Sequence, residues 1–117
     1  MAERFIEERL RKEESVIFVA FDTVPVGFAQ LYPKYSSARA EKNWILNDLF
    51  VEPEFRKRGV GAMLIKASVE FAKSKGAKFV QLETATDNFS AQRLYEATGF
   101  KKQEPDDKFF VYRIEVL

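Results

Sequence analysis

The sequence predicts an α/β domain of the α+β kind, with a mixed, mostly antiparallel twisted sheet and helices on both faces. Two strand-like segments near the N-terminus follow each other across a short turn, which is typical of an antiparallel hairpin. A strand, a helix and another strand follow, a unit that indicates parallel strands and adds the mixed character. The 117 residues suffice for one core, so residues 1–117 are predicted to form a single domain.

The first part of the chain is predicted to contain a helix and a hairpin. Ile6 and Leu10 lie four residues apart among charged residues, which favours a helix over residues 3–13. β-Branched and aromatic residues predict strands over 15–21 and 26–32, joined by a turn. These two strands are expected to pair with each other.

The rest of the chain is predicted to alternate strands and helices. The polar residues 33–42 are predicted to form a loop and a mobile rim, followed by a third strand over 44–51. A helix over 60–75 carries an apolar stripe and ends before Gly76, a typical stop. The remaining elements are a strand over 78–84, a helix over 88–98 stopped by Gly99, a strand beginning at Phe100 and a last strand over 109–116.

The composition excludes several classes of function. Cysteine and histidine are both absent, which excludes disulfides, Ser-His-Asp triads and zinc sites built on those residues, and no metal is predicted. The net charge of +1 argues against nucleic acid or a membrane surface as the main partner. The longest apolar run is strand-sized and the N-terminus has no signal-like core, so a cytoplasmic location is expected.

The segment between the third strand and the long helix carries the strongest functional signal. Three cations, Arg56–Arg58, precede Gly59-Val60-Gly61, where the helix begins. A helix N-terminus offers free N–H groups and the positive end of the dipole, and glycine permits close approach. The pattern predicts a phosphate or pyrophosphate site. A Walker loop does not fit, because Gly-Lys-Ser/Thr is missing before the helix. A dinucleotide fingerprint does not fit either, because Leu64 stands where its third glycine belongs. A basic surface turn with structural glycines is the alternative.

Two blocks of sequence resemble the GNAT superfamily of acetyl-CoA-dependent N-acetyltransferases. The first is Arg-x-x-Gly-x-Gly after a strand that ends in Leu-Phe-Val-x-Pro, within residues 49–61. The second is Asn-x-x-Ala-x-x-x-Tyr-x-x-x-Gly-Phe at residues 88–100. The resemblance covers residues 15–117. Within it, residues 47–51 and 107–110 look most similar to diamine acetyltransferases, although Asn47 stands where those enzymes carry a glutamate.

The resemblance implies direct transfer of an acetyl group, in a ternary complex, from acetyl-CoA to a primary amine of a small molecule or peptide. A non-catalytic acyl-CoA-binding or regulatory module is the alternative. Acetyl-CoA is expected in a V-shaped opening between the strands 44–51 and 78–84, where its pantetheine arm would pair with backbone groups like an added strand. The residues implied to bind acetyl-CoA are Leu49, Phe50, Val51, Arg56, Lys57, Arg58, Gly59, Val60, Gly61, Asn88 and Tyr95.

Two residues are predicted to carry the chemistry. Tyr95 is the predicted acid, because a phenol can protonate the thiolate that leaves as CoA. Asp48 is the leading candidate for the base that takes a proton from the amine, with Glu83 or water as alternatives. Strand alternation places Asn47 and Asp48 on opposite faces unless a bulge intervenes. Asn88 is expected both to cap the second helix and to contact pantetheine.

The beginning of the chain differs from the family pattern. It looks short by the usual first strand and helix, so the strand over 16–21 is expected to be an unprotected sheet edge. A second copy, a strand from another partner or a rearranged helix could cover that edge, and a homodimer is expected. The other expected partners are acetyl-CoA and the acceptor amine, with neither nucleic acid nor a membrane.

Overall fold

The computed structural model describes residues 8–12, 15–36, 41–103 and 109–116, which contain seven strands and two α-helices. A short 3₁₀ turn at Pro53–Phe55 precedes the first helix. The elements are β1 (Glu8–Lys12), β2 (Ser15–Asp22), β3 (Val24–Ser36), β4 (Glu41–Val51), α1 (Val60–Ser74), β5 (Phe79–Ala85), α2 (Phe89–Ala97), β6 (Lys101–Lys102) and β7 (Phe109–Glu115). They form one sheet in the order β1-β2-β3-β4-β5-β7-β6, antiparallel except for the parallel pair β4 and β5.

The mixed sheet and the two later helices, predicted over 60–75 and 88–98, are confirmed, and their ends lie close to the predicted positions. At the end of α1, Gly76 adopts φ +78°, and the N–H of Ala77 donates to the carbonyl of Ala72 at 3.0 Å. At the end of α2, Gly99 adopts φ +103°, and the N–H of Phe100 donates to the carbonyl of Tyr95 at 3.0 Å. A left-handed glycine thus closes each helix, as the stop signals predicted.

The predicted first helix is wrong over residues 8–12, which form β1. This strand pairs antiparallel with β2, and Lys12 lies opposite Ser15. Pairing along β2 satisfies backbone groups that a helix would satisfy internally, and two apolar residues four apart are a weak helix signal against that tertiary pairing. The rest of the predicted helix lies outside the described residues. Because β1 covers β2, the expectation of a free edge at 16–21 is wrong as well.

The predicted loop over 33–42 is largely strand. β3 continues to Ser36 and β4 begins at Glu41, and residues 37–40 lie outside the described part. Tyr35 lies opposite Lys42 in this ladder, and the Lys42 ammonium lies over the Tyr35 ring at 5.7 Å from its centroid. Cross-strand contacts of this kind keep a polar sequence extended, and the polar composition of residues 33–42 does not reveal them.

Both described helices pack on one face of the sheet. The Phe71 ring of α1 contacts Phe18 of β2 and Trp44 of β4, at centroid distances of 5.8 and 4.9 Å. On the same face, the buried Tyr112 of β7 donates to the carboxylate of Glu96 in α2 at 2.7 Å. The prediction of helices on both faces is therefore not met by the described elements, because the apolar stripes of α1 and α2 join the same core.

The other face of the sheet carries an apolar groove. Among the described residues no helix covers it, and the side chains of Phe28 and Phe50 remain 36% and 39% exposed. The groove has a volume of about 580 Å³. It is lined by Ile17, Val19, Phe21, Pro25, Val26, Gly27, Phe28, Phe50 and Glu52. In the described part of the chain, no helix has the length and apolarity to cross a membrane.

Replacing Tyr112 with Phe should lower the free energy of unfolding and change how it depends on pH. Losing the bond to Glu96 should cost about 1 kcal/mol at neutral pH. Burial, together with the bond to Glu96 and its negative charge, raises the pKa of Tyr112 to about 12. The folded protein therefore keeps a proton that the unfolded chain loses above pH 10, so wild-type stability should fall as the pH rises from 10 to about 12.

Urea unfolding at pH 8, 10, 11 and 12 measures this difference. The wild-type curve should decline more steeply than that of the Tyr112→Phe variant, while Tyr32→Phe, at an exposed tyrosine, should follow the wild type. Parallel curves for wild type and Tyr112→Phe would contradict the assigned titration.

Candidate active site

The site is organised by the place where β4 and β5 separate. The carboxamide oxygen of Asn43, a residue only 2% exposed, accepts the N–H groups of Lys78 and Phe79 at 2.7 and 3.1 Å. The two strands then pair only at Trp44 with Val80 and at the next position, Ile45 with Gln81. Beyond these pairs, the facing backbone groups of the described strands have no ladder partner. The V-shaped opening is thus present.

The opening contains a cavity of about 400 Å³, here called the splay cavity. Its lining combines apolar residues, among them the buried Leu46 and Leu82, with polar residues. It is lined by Ile45, Leu46, Asn47, Gln81, Leu82, Glu83, Thr84 and Ala85. Glu83, the alternative base, therefore lies at the opening, and it is the charged residue of that lining.

A bulge in β4 brings the side chains of Asn47 and Asp48 together. Gln30 of β3 lies opposite Asp48, whereas the next residue, Leu31, lies opposite Leu46. Asn47 is the extra residue, and its amide nitrogen donates to the Asp48 carboxylate at 3.0 Å. Because a bulge re-aims side chains, these neighbours meet instead of pointing to opposite faces. Asn47 lines the splay cavity, whereas Asp48 is exposed beside it and is absent from the lining.

A second cavity, of about 550 Å³, lies between the end of β4, the start of α1 and α2. We call it the α1–α2 cavity. It brings together the two sequence blocks that carry the resemblance, and it adjoins the splay cavity along β4. It is lined by Leu49, Phe50, Val51, Arg56, Lys57, Gly59, Gly61, Ala62, Asn88, Ser90, Ala91, Leu94 and Tyr95. Two predicted acetyl-CoA contacts are absent from this lining. Val60 is buried in the core, and the Arg58 guanidinium lies over the Phe55 ring at 5.2 Å.

The start of α1 has the properties of an anion site. Gly59 is the N-cap residue at φ +85°, no side chain caps the helix, and no acidic residue lies in its first turn. Lys57, just before it, also has a positive φ of 63°. The first N–H groups of any helix have no intrahelical acceptor, and the helix dipole adds a positive potential. The N–H groups of this turn can therefore bind a phosphate at the cavity.

Gly61 allows three elements to approach one another. A Cβ atom at this position would lie 3.2 Å from Leu94 Cδ2 in α2 and 3.9 Å from Val51 Cγ2 in β4. The absence of a side chain at Gly61 thus leaves room for the side chains of Leu94 and Val51 and for the cavity.

Arg56 binds the protein's own backbone in this structure. Its Nε–H donates to the carbonyl of Val51 at 2.9 Å, and its guanidinium lies 5.9 Å from the centroid of the Phe50 ring. Arg56 therefore holds the loop against the end of β4, and both Arg56 and Lys57 are exposed cations in the lining of the cavity.

Tyr95 is half-buried at the wall of the α1–α2 cavity. Its ring lies between those of Phe100 and Tyr112, with centroids 6.0 and 6.1 Å away. Burial raises the pKa of Tyr95 above its ordinary value of 10, so the phenol keeps its proton at neutral pH. Its hydroxyl has no hydrogen-bond partner among the described residues, which leaves its proton available to a ligand.

The N-terminus of α2 is held by two amide side chains. Asn88 accepts the N–H of Ala91 at 3.2 Å, which confirms the predicted cap. Gln92 donates to the carbonyls of Ala85 and Thr86, both at 3.1 Å, and so ties α2 to the end of β5. Gln92 falls at an unspecified position of the second block, so the sequence gives it no role. The role of Asn43 is not predictable either, since a single polar residue in a strand indicates no partner.

Comparisons with known proteins identify the family of this chain. A family model for the Acetyltransferase (GNAT) family matches residues 1–100. The uncharacterized N-acetyltransferase YhfO of Bacillus subtilis strain 168 is 41% identical over 116 residues, which cover 98% of this chain and 76% of that protein. The chain belongs to the GNAT family, and it is an N-acetyltransferase of the GNAT type.

Solved structures show the same fold. Nourseothricin acetyltransferase superposes with a TM-score of 0.76 at 26% identity, over 90% of this chain and 67% of that chain. The PaiA N-acetyltransferase of Thermoplasma acidophilum, solved in complex with coenzyme A, superposes with a TM-score of 0.74 at 22% identity, over 86% and 60%. The predicted fold class is confirmed by these likenesses.

Replacing Gly61 with Ala should weaken CoA binding without weakening the fold. Alanine favours a helix over glycine by up to about 1 kcal/mol, and the flexible end of Leu94 can yield to the new methyl group. The methyl group would narrow the α1–α2 cavity, and a clash with bound CoA that costs about 1.4 kcal/mol would lower the affinity about tenfold. Calorimetric titration with CoA and thermal unfolding measure the two effects.

Gly76→Ala is the matched control. Gly76 has φ +78° and open space around it, away from the cavity, so this variant should lose about 1 kcal/mol of stability while binding CoA normally. Normal CoA affinity in Gly61→Ala would refute the assigned cavity.

Proposed function

We propose that this chain transfers the acetyl group of acetyl-CoA directly to a primary amine, with both substrates bound at once. The observation that carries the proposal is that the α1–α2 cavity, with its uncapped helix N-terminus, adjoins the opening between β4 and β5. In this arrangement the pyrophosphate lies at the start of α1, near Lys57. The pantetheine arm runs along the end of β4, where strand partners are missing, and brings the thioester towards the opening.

The proposed chemistry needs one acid and one base. The amine nitrogen attacks the thioester carbonyl carbon, the C–N bond forms, and the C–S bond of the tetrahedral intermediate breaks. Tyr95 gives its phenolic proton to the departing thiolate and regains one from solvent. Its raised pKa keeps that proton in place until the thiolate forms. A backbone N–H near Leu49 is the proposed donor to the oxyanion.

The base acts on the amine from the opposite side of the opening. Asp48 is the leading candidate for the base, and it lies on β4 beside the splay cavity, next to the bulge. Glu83 lines that cavity on β5. Both carboxylates lie on exposed positions of the strands that flank the opening, so either can accept the proton directly or through water. The variants Asp48→Asn and Glu83→Gln distinguish them. The variant that lacks the true base should lose more activity than the other, and the loss should be largest at low pH, where the amine is protonated.

Replacing Tyr95 with Phe should lower kcat by about a hundredfold, the lower range expected when a general acid is removed. The affinity for acetyl-CoA should change little, because the ring and its contacts with Phe100 and Tyr112 remain. Release of CoA from acetyl-CoA with pooled polyamines, amino acids, aminoglycosides and peptides measures kcat. Calorimetry measures the affinity.

Tyr32→Phe, at an exposed tyrosine of β3, is the control and should keep full activity. Unchanged turnover in Tyr95→Phe would remove this tyrosine from the mechanism. Acetyl-CoA binding with no CoA release from any amine pool would instead support the non-catalytic acyl-CoA-binding module.

We propose that the homodimer forms through the apolar groove and not through the edge of β2. β1 removes the free edge at β2, whereas the apolar groove on the helix-free face contains a single charged residue, Glu52. A second copy that buries this groove would remove Phe28 and Phe50 from water, which favours association. Light scattering should give twice the chain mass of 13.6 kDa.

Phe28→Glu should shift that mass to the monomer. Phe89→Glu, at a phenylalanine of α2 that is 62% exposed and outside the groove, should stay dimeric. A wild type that remains monomeric at high concentration would disprove the dimer.

A further inference from the structure

A pair of side chains at the far wall of the splay cavity has no role in the chemistry above. Gln81 of β5 lies opposite Arg113 of β7, and the Nη2 of Arg113 donates to the Oε1 of Gln81 at 2.8 Å. The guanidinium also stacks on the Phe79 ring, 3.9 Å from its centroid. Arg113 makes no ion pair with any described residue, and its Nε is buried without a partner. Its position is therefore explained by Phe79 and Gln81, not by charge pairing.

This pair determines which end of the Gln81 amide faces the cavity. An arginine side chain only donates hydrogen bonds, so the amide oxygen must face Arg113. The NH₂ group of Gln81 is left without a partner in the described part of the protein. Gln81 lines the splay cavity, and it therefore presents hydrogen-bond donors there.

The same logic orients Asn47 on the opposite wall. The Asp48 carboxylate only accepts hydrogen bonds, so the NH₂ group of Asn47 faces it, as the 3.0 Å contact shows. The carboxamide oxygen of Asn47 remains as an acceptor without a described partner. The cavity thus has an acceptor, Asn47, on its β4 wall, while the donor of Gln81 and the Glu83 carboxylate lie two positions apart on its β5 wall.

We propose that the splay cavity selects primary amines that carry an uncharged hydrogen-bond-accepting oxygen close to the nitrogen. The proposal rests on the proposed acetyl transfer. The N–H groups of the amine bind Asn47 and Glu83, and the neighbouring carbonyl or hydroxyl oxygen accepts from Gln81. A free carboxylate is disfavoured, because the cavity lining contains Glu83 and no cation. Aminoacyl amides and amino alcohols share the required chemistry. Arg113 acts as a positioning residue for Gln81.

Four small probes test this selection: glycinamide with a carbonyl, ethanolamine with a hydroxyl, propylamine with neither, and glycine with a carboxylate. Wild type should prefer glycinamide, ethanolamine or both over propylamine, and glycine should be poorest. In Gln81→Glu the oxygen partner of Arg113 is kept but the donor is lost. The ratio of kcat/KM for the preferred probe to that for propylamine should then fall about five- to tenfold, as for one lost hydrogen bond. Comparing ratios cancels each amine's own basicity.

Two Arg113 variants test positioning. Arg113→Met keeps the apolar stem over Phe79 but removes the donor, so the ratio should fall through KM with kcat retained. Arg113→Lys can still donate to Gln81 and should keep most of the wild-type kcat/KM ratio between the preferred probe and propylamine. Equal losses for all probes, or no rescue by lysine, would show that Arg113 serves the fold alone.

A binding measurement separates this proposal from acetyl transfer itself. In ¹⁵N-labelled protein, with and without CoA, the Gln81 NH₂ signal is identified by its absence in Gln81→Glu. It should shift with the preferred probe and not with propylamine. That shift without CoA release from any amine would uphold the selection and refute acetyl transfer. CoA release with an unchanged ratio in Gln81→Glu, or a Gln81 signal indifferent to every probe, would overturn the selection.

Discussion

The buried carboxamide of Asn43 anchors the start of β5 to β4, and the site depends on that anchor. Its oxygen satisfies two backbone N–H groups where almost no water can reach. Removing it would leave both donors unsatisfied, at a cost of about 1–3 kcal/mol each. Since only two residue pairs follow before the ladder ends, this contact decides where the sheet opens. The two walls of the splay cavity follow from that single point.

The second part of the site comes from how closely the helices approach the end of β4. Gly61 leaves room for Leu94, so the N-terminus of α1, the side of α2 and the end of β4 meet around one cavity. Tyr112 and Gln92 attach α2 to the sheet through Glu96 and the end of β5. These contacts hold Tyr95 against two rings and partly out of water, which in turn raises its pKa. Packing and the proposed acid chemistry therefore share the same residues.

Much of the fold was predictable because its signals are local. The stop at Gly76, the cap at Asn88 and the stripe of α1 depend on residues within a few positions of each other. The errors fall where pairing with a neighbouring strand overrides a weak local pattern. Residues 8–12 and most of 33–42 became strands because β2 and the neighbouring half of their own hairpin supplied ladder partners. The sequence shows only that a bulge would change the directions of Asn47 and Asp48. Whether the bulge forms depends on the register of β4 against β3.

The sequence by itself determined the family resemblance, the glycine-marked start of α1 and most of the residues around the α1–α2 cavity, because each belongs to a short pattern with its own local geometry. Only the tertiary structure decided that both described helices share one face and that Asp48 lies beside the opening while Glu83 lines it. It alone showed that Arg113 orients Gln81. These relations join residues up to several tens of positions apart, and a chain brings such residues together only when strand register and core packing are complete.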